Sequence, residues 1–310
     1  MRLVRAGGLA TVQDLGWAGY RSIGLPPGGA ADRASLRIGN ALAGNADGLA
    51  GLEIALGEVE FEFESDRVFA ATGAVGTLHL DGTEVPAWTT VAARTGQRCR
   101  LAPDRRGRFA YLAVGGGIDV PTMLGSRATY LPGSLGGYQG RRLAAGDRLP
   151  LGAVAEAIRL GTTGRPPAAT GPVRIAAGPQ ERFFAARAFD AIVAAPYRLS
   201  PMSDRMGSRL TGAPVQAERK ATLPSESTAV GAIQVPDDGQ PIVILADGPT
   251  VGGYLKIGVV ITADLDRFAQ VPLGGEVVFA WVALAEAQRV SRQASENLAR
   301  LLSEIRTAVR

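Results

Sequence analysis

The sequence predicts a mainly β protein with a few helices, arranged as two halves of β-barrel type. Three observations predict it. First, the 310 residues include 41 glycines and 19 prolines in a chain that is 46% hydrophobic and has no fixed-period repeat. So many glycines in an apolar, non-repetitive sequence imply many tight turns, and therefore many short strands. Second, strand signals with a period of two outnumber helical ones. Third, a stretch rich in Gly, Pro and Thr at 161–171 separates halves of domain size, giving expected domains 1–165 and 166–310. Short strands punctuated by turns favour barrels over a doubly wound parallel sheet.

The elements follow in order. Asp32 is placed to cap a helix over 33–43, with Leu36, Ile38 and Leu42 apolar and Gly44 as its stop. Residues 58–64 alternate strictly, with Val59, Phe61 and Phe63 on one face and four glutamates on the other. That period reads as a solvated strand face rather than a metal site. Residues 77–85 read as a hairpin around Asp81-Gly82 in a type I′ turn. Further strands are expected at 98–101, 109–114, 173–176, 197–200, 232–235, 242–246, 259–262 and 277–281. Helices are expected at 179–192 and 264–270. A C-terminal amphipathic helix carries Leu284, Ala287, Ala294, Leu298, Leu301, Leu302 and Ile305.

Composition excludes several classes of function. A single cysteine, Cys99, allows no intrachain disulfide, and one Cys with one His, His79, cannot build a zinc cluster. His79 lies in the predicted hairpin and is read as a strand residue. The net charge of +4 comes from scattered basic residues without interleaved aromatics, which does not indicate nucleic-acid binding. No segment has the length and hydropathy of a signal peptide or a membrane span, so a cytoplasmic protein is expected. There is no G-x-x-x-x-G-K-[ST] phosphate loop and no G-x-S-x-G elbow.

Four ordered segments carry a resemblance. They are Thr11-Val-Gln-Asp-Leu-Gly16 running on to Gly29-Ala-Ala-Asp32; Tyr111-Leu-Ala-Val-Gly-Gly-Gly-Ile118 with Gly125-Ser-Arg-Ala-Thr129; Ser203-Asp-Arg-Met-Gly207 with Arg209; and Gly231-Ala-Ile-Gln-Val-Pro236 with Asp247-Gly-Pro-Thr-Val-Gly-Gly-Tyr254. Together they resemble the biotin-dependent carboxyltransferase-domain family. That family includes the C subunit of 5-oxoprolinase, the KipA-like proteins, allophanate hydrolase subunit 2 and part of urea carboxylase. The chain departs from the family pattern at Gly28, Ala31 and Ala128, and it lacks a Gln in the 247–254 motif. These departures bear on the substrate rather than the fold.

The resemblance implies two cyclophilin-like β-barrel subdomains. It implies the C subunit of an ATP-dependent 5-oxoprolinase, opening 5-oxoproline to L-glutamate with a KipI-like sister subunit and a LamB/YcsF-like subunit. ATP would be used with the partner, and the chain would be inactive alone. Two alternatives remain open. One is a component of a biotin-dependent urea or amide carboxyltransferase. The other is a non-enzymatic KipA-like regulator that binds a KipI-like kinase inhibitor.

A lactam is a poor electrophile, so its activation calls for cations to hold anions, close backbone approach, and carboxylates to move protons. Within the family-like segments, Asp14, Asp32, Asp204, Asp247 and Lys256 are the candidate catalytic residues. Arg21, Arg127, Arg205, Arg209, Gln234, Thr250, Gly252, Gly253 and Tyr254 are the candidate substrate-binding residues, and no metal site is expected. Each also has a structural use. Asp32 can cap a helix, and Asp204 can close a turn. Arg127 and Arg209 can cross-link loops, Gly252-Gly253 can form a turn, and Gln234 can sit on a solvated strand face. Tyr254 and Lys256 share a face if their segment is extended.

Overall fold

A computed structural model describes residues 1–154, 158–166, 170–218 and 223–310. Two compact units emerge from the contacts. Unit 1 comprises Met1–Trp17, Gly28–Pro167 and Asn297–Arg310; unit 2 comprises Ala18–Pro27 and Ala168–Glu296. A division in simple chain order at 165 would assign the whole C-terminal helix to the second half. By contact, its last turns belong with unit 1, and Ala18–Pro27 belong with unit 2.

Unit 1 opens with strands β1 (Arg2–Ala6) and β2 (Leu9–Gln13), followed by helix α1 (Arg33–Leu42). Then come β3 (Gly51–Ala55), β4 (Val59–Glu62), β5 (Arg67–Gly73), β6 (Val75–Leu80) and β7 (Thr83–Glu84). Strands β8 (Val91–Ala93), β9 (Arg98–Pro103) and β10 (Phe109–Val114) follow, with a small hairpin of β11 (Thr129–Tyr130) and β12 (Leu135–Gly136). Two five-stranded sheets result, ordered β1-β4-β9-β6-β7 and β2-β3-β10-β5-β8. They face each other across one core, where Leu3, Phe61 and Leu101 of the first sheet, with Phe63 just beyond β4, meet Val12, Ile54, Phe69 and Leu112 of the second.

The chain turns from sheet to sheet at corners where backbones touch. At one of them a Cβ on Gly8 would lie 1.6 Å from the Leu56 carbonyl oxygen, so only glycine fits. The expected I′ hairpin is present, with positive φ at both Asp81 (49°) and Gly82 (78°). The glutamates in and beside β4 face outward, where Glu58, Glu60 and Glu62 pair with Arg2, Arg5, Arg98 and Arg100 across neighbouring strands. That face is an ion-pair ladder and holds no metal cluster; none occurs among the described residues.

Strands β3 and β5 carry no clear period-two signal, and β10, expected at 109–114, is buried at every position, because the second sheet is covered on both faces. Its outer face packs α1, with Ile38, Ala41 and Leu42 against Ala70, and this cluster also takes in Leu302, Ile305 and Val309 from the end of the C-terminal helix. The stretch beginning at 161 is anchored rather than free. Gly161 N–H donates to Thr90 O, Thr90 N–H to Thr162 O and Gly164 N–H to Trp88 O. Residues 167–169 of that stretch lie outside the described residues.

Unit 2 contains β13 (Val173–Ala177), α2 (Ala186–Ala194), β14 (Tyr197–Leu199), β15 (Gly207–Thr211), β16 (Glu226–Ser227) and β17 (Ala232–Val235). It continues with β18 (Ile242–Ile244), β19 (Val251–Gly252), β20 (Leu255–Val260), α3 (Thr262–Ala269), β21 (Glu276–Val277) and β22 (Phe279–Trp281). Last comes α4 (Leu284–Val309), whose residues up to Glu296 belong to unit 2 and whose residues from Asn297 on belong to unit 1. Eight strands form one sheet, ordered β21-β14-β15-β18-β17-β20-β13-β22. Its two edge strands, β21 and β22, are separated by Val278 alone, so the sheet curls until its edges nearly meet: a nearly closed barrel. Ile175, Leu199, Ile233, Val243 and Ile257 are buried in one cluster that also takes Ile192 of α2 and Phe268 of α3.

The helix expected over 179–192 is interrupted. A short 3₁₀ turn at Glu181–Phe183 gives way to extended backbone at Phe184 before α2 begins. Phe184 is drawn out of the helix by burial and by a β-bridge to Ala217, and Glu218 N–H caps the Phe183 carbonyl. Among the described residues no helix is long and apolar enough to cross a membrane. The mainly β class with a few helices is the one expected.

Candidate functional site

Within unit 2, the outer wall of the barrel brings together polar side chains with unmet hydrogen-bonding capacity. Strands β17 and β20 run antiparallel, and their register slips between Ile233 and Gln234, so that Ile233 faces Gly258 while Gln234 faces Lys256. This bulge leaves Ile233, Val235, Leu255 and Ile257 in the barrel core and sets Gln234 and Lys256 side by side on the outer face. The short pair β16 and β19 brings Glu226 opposite Gly252.

Lys256 is 2% exposed. Its Nζ donates to Glu226 Oε1 at 2.7 Å and to the Tyr254 carbonyl at 3.0 Å. Gln180 binds both members of this pair: its Oε1 accepts from the Lys256 backbone N–H at 3.1 Å, and its Nε2 donates to Glu226 Oε1. The hydrogen bond from Lys256 draws the Glu226 carboxyl below its usual range; partial desolvation opposes this, and the Lys256 charge and Gln180 add to it.

Beside the lysine, Gln234 Nε2 and Thr228 Oγ1 are buried without a hydrogen-bond partner among the described residues. A Cβ on Gly252 would lie 2.7 Å from that Nε2 and 3.2 Å from that Oγ1. Only a residue without a side chain lets the Gly252 backbone approach both atoms this closely. Thr228 is fixed through its backbone, its N–H donating to Thr250 O at 2.9 Å and its carbonyl accepting from the Arg21 guanidinium.

The unit 2 candidates therefore fall into two groups. Arg21, Gln234, Thr250, Gly252 and Lys256 converge with Thr228, Glu226 and Gln180. Gly253 and Tyr254 flank them, with a Cβ on Gly253 meeting the Leu223 carbonyl at 3.4 Å and the Tyr254 ring half exposed. Tyr254 and Lys256 thus share a backbone contact but not an environment, because Tyr254 precedes β20 and only Lys256 is held in the ladder.

The second group is Asp204, Arg205, Arg209 and Asp247. Arg205 and Asp247 engage each other in a buried bidentate pair. Asp204 Oδ1 accepts from the N–H groups of Met206 and Gly207, closing the turn into β15. Arg209 is exposed on β15, and its backbone N–H donates to Ser203 Oγ.

The unit 1 candidates sit in loops tied together by buried polar groups. Asp14 accepts from Gly16 N–H at 2.7 Å, Ser126 Oγ at 2.6 Å and Arg127 N–H at 2.6 Å. Arg127 donates to the Val120 carbonyl and to Asp119, so its guanidinium cross-links a loop. Asp32 caps α1, accepting from Ser35 N–H at 3.0 Å and Ser35 Oγ at 2.6 Å. Three successive backbone N–H groups, Ala30, Ala31 and Asp32, are held by Asp14 O, Glu53 Oε2 and Tyr111 Oη. Tyr111 Oη in turn donates to Glu53, and burial first, then the nearby Glu53 and Asp32 charges, push its phenol well up.

Glu53, Tyr111, Gln180, Glu226 and Thr228 join these networks without having been expected there. Tyr111 opens the Tyr111–Ile118 segment, which is its one signal in the sequence. Glu226 and Thr228 lie just ahead of the Gly231-Ala-Ile-Gln-Val-Pro236 segment, but no spacing rule marks them. Gln180 is 76 residues from Lys256, and only the fold brings it there.

Residues 23–281 match the family described as carboxyltransferase domain, subdomain A and B. Over 293 residues the chain is 39% identical to the 5-oxoprolinase C subunit of Escherichia coli (strain K12), covering 93% of each chain. It is 36% identical to the 5-oxoprolinase C subunit of Haemophilus influenzae, covering 92% of each. A urea amidolyase of Lachancea kluyveri is 30% identical over 94% of this chain but only 17% of its own length. Among solved structures, the K. lactis urea amidolyase superposes with a TM-score of 0.90 at 26% identity, covering 97% of this chain and 20% of that one. The crystal structure of TTHA0988 superposes with a TM-score of 0.81 at 34% identity, covering 90% of this chain and 55% of that one.

Proposed function

The chain belongs to the carboxyltransferase-domain family of subdomains A and B, and from that premise we propose that it is the C component of an ATP-dependent 5-oxoprolinase. One observation carries the reading. The similarity to two 5-oxoprolinase C subunits runs the length of both proteins, whereas the urea amidolyase match is confined to a small part of a much longer chain. The complex would be cytoplasmic and would include a KipI-like sister subunit and a LamB/YcsF-like subunit.

The outer-wall site suits this chemistry. Lys256, Gln234 and Thr228 together offer N–H and O–H donors to an oxygen of the substrate. Such donors would hold an acceptor oxygen of the substrate in the ground state and the transition state alike, and so set its binding.

Three of the candidate arginines are engaged within the chain, Arg205 with Asp247, Arg127 with Val120 and Asp119, and Arg21 with Thr228, while Arg209 is exposed. With no phosphate loop in the sequence, we place ATP use with the partner subunit.

A second reading, a component of a biotin-dependent urea or amide carboxyltransferase, is favoured by the TM-score of 0.90 to a urea amidolyase. Biotin belongs to that reading alone.

Reconstitution separates these readings. The chain is co-expressed with a KipI-like and a LamB/YcsF-like subunit and passed over a sizing column, and glutamate release from 5-oxoproline and ATP is followed. A stable complex that forms glutamate, with the chain alone inactive, is expected. Failure of the chains to co-elute at micromolar concentration, each being folded, overturns the obligate complex, and co-elution with the KipI-like subunit alone, without glutamate release, favours a KipA-like regulator. Carboxylation of urea in the presence of a biotin carboxylase, without 5-oxoproline opening, favours the second reading.

A further inference from the structure

We infer that Glu226 and Gln180 are positioning residues for Lys256, holding its ammonium toward the oxygen ligand that Gln234 Nε2 and Thr228 Oγ1 face. The inference rests on the 5-oxoprolinase reading and deepens it. The ligand class it names is a small cyclic amide bearing a carboxylate, recognised through an acceptor oxygen.

Three features of the geometry lead there. An ammonium has three N–H donors, and two of those on Lys256 go to Glu226 Oε1 and Tyr254 O. Two fixed partners fix the direction of the third N–H, and Lys256 stands opposite Gln234 in the β17–β20 register. The pair is also asymmetric: the lysine side chain is 3% exposed and that of Glu226 is 42% exposed. The lysine cannot swing out to solvent, so its aim is set by a carboxylate that solvent and small solutes can reach. Gln180 completes the arrangement, since one side-chain amide fixes both the Lys256 backbone and the Glu226 carboxylate.

The character of the ligand follows from the donors. Lys256 Nζ and Gln234 Nε2 donate only, and Thr228 Oγ1 can donate. Donors converging in a buried setting select an acceptor and disfavour a cation. A carboxylate or a polarised amide carbonyl meets that demand.

The positioning role has a kinetic and a chemical readout. In the reconstituted complex, Glu226→Ala and Gln180→Ala should each raise KM for 5-oxoproline about tenfold, the effect of losing one charge-assisted hydrogen bond, while kcat changes much less. Millimolar formate should restore much of the lost KM in Glu226→Ala and none in Lys256→Ala, because only the former leaves a carboxylate-sized gap beside an ammonium. Unchanged KM in both variants, or loss of kcat and melting temperature together with no formate effect, overturns the inference. Should Glu226→Ala fail to fold, Glu226→Gln keeps an acceptor and removes the charge, and the same KM rise is expected of it.

A second measurement does not depend on turnover. The chain has two lysines, Lys220 and Lys256, so acylation of each by an amine-reactive reagent is resolved by mass spectrometry. Removing Glu226 or Gln180 should change the labelling rate of Lys256 severalfold and leave Lys220 as it was. Unchanged labelling of Lys256 overturns the inference. Altered labelling in a complex that never opens 5-oxoproline rejects the 5-oxoprolinase reading and keeps the positioning role.

Discussion

Arg205 and Asp247 grip each other through two parallel hydrogen bonds, Nε to Oδ2 at 2.8 Å and Nη2 to Oδ1 at 2.9 Å, with side chains only 6% and 2% exposed. The backbone reinforces the pair, since Asp247 N–H donates to the Arg205 carbonyl at 3.0 Å. Removing one partner of such a pair deprives the other, buried charged group of its two charge-assisted hydrogen bonds. Asp247→Asn should therefore destabilise the protein by about 3 kcal/mol or more. Urea unfolding measures it; a cost below about 1 kcal/mol would show that the pair does not hold the fold.

Arg209 contrasts with it. Its side chain is exposed on β15. Arg209→Lys should leave the melting temperature within about 1 °C, as surface substitutions usually do. In the reconstituted complex it should lower kcat/KM if the planar fork holds a substrate anion, because lysine cannot reproduce bidentate geometry. Arg127→Lys should do the reverse, lowering stability through loss of its bonds to Val120 O and Asp119. Equal stability losses at both positions would remove Arg209 from the site.

Asp264 gives a pH dependence. Burial raises its carboxyl, but hydrogen bonds from Arg174 and Arg267 outweigh that and hold it at about 2. The unfolded carboxyl titrates near its ordinary value of about 3.9. A depressed folded pKa means the stabilisation is present above about pH 4 and disappears as pH falls toward 2. Asp264→Asn should cost about 2 kcal/mol at pH 6, and the gap to wild type should narrow by about pH 2.5. A gap independent of pH in denaturant titrations would remove the ion pairs with Arg174 and Arg267 as its source.

Ile305 tests the docking of the C-terminal helix. It is 2% exposed among Ile38, Leu42 and Trp88, and a Cβ on Gly164 would come within 2.4 Å of its Cδ1. Ile305→Ala should cost about 2–4 kcal/mol, the range for emptying a packed core site. Leu284, 67% exposed at the other end of the same helix, should tolerate alanine within about 0.5 kcal/mol. Equal tolerance at both positions in thermal melts would show that the last turns are not packed.

Local chemistry in the sequence determined much of this protein. The Asp32 cap, the Asp81-Gly82 turn and the alternation that puts Phe61 and Phe63 inside all depend on residues within a few positions of each other. The mainly β class follows from repeated signals of that kind. The tertiary structure decided what depends on distant partners. Strands β5 and β10 lose their alternation because α1 covers their outer sheet face, and on β3 Glu53 is buried against Ala31 N–H and Tyr111 Oη. The helix expected over 179–192 breaks where Phe184 is pulled into a bridge with Ala217. Gln234 meets Lys256 only because a bulge shifts one ladder by a residue, and Glu226 and Gln180 reach the same lysine from 30 and 76 residues away. Register and long-range pairing are set by which apolar faces can be buried together, and no local pattern contains that information.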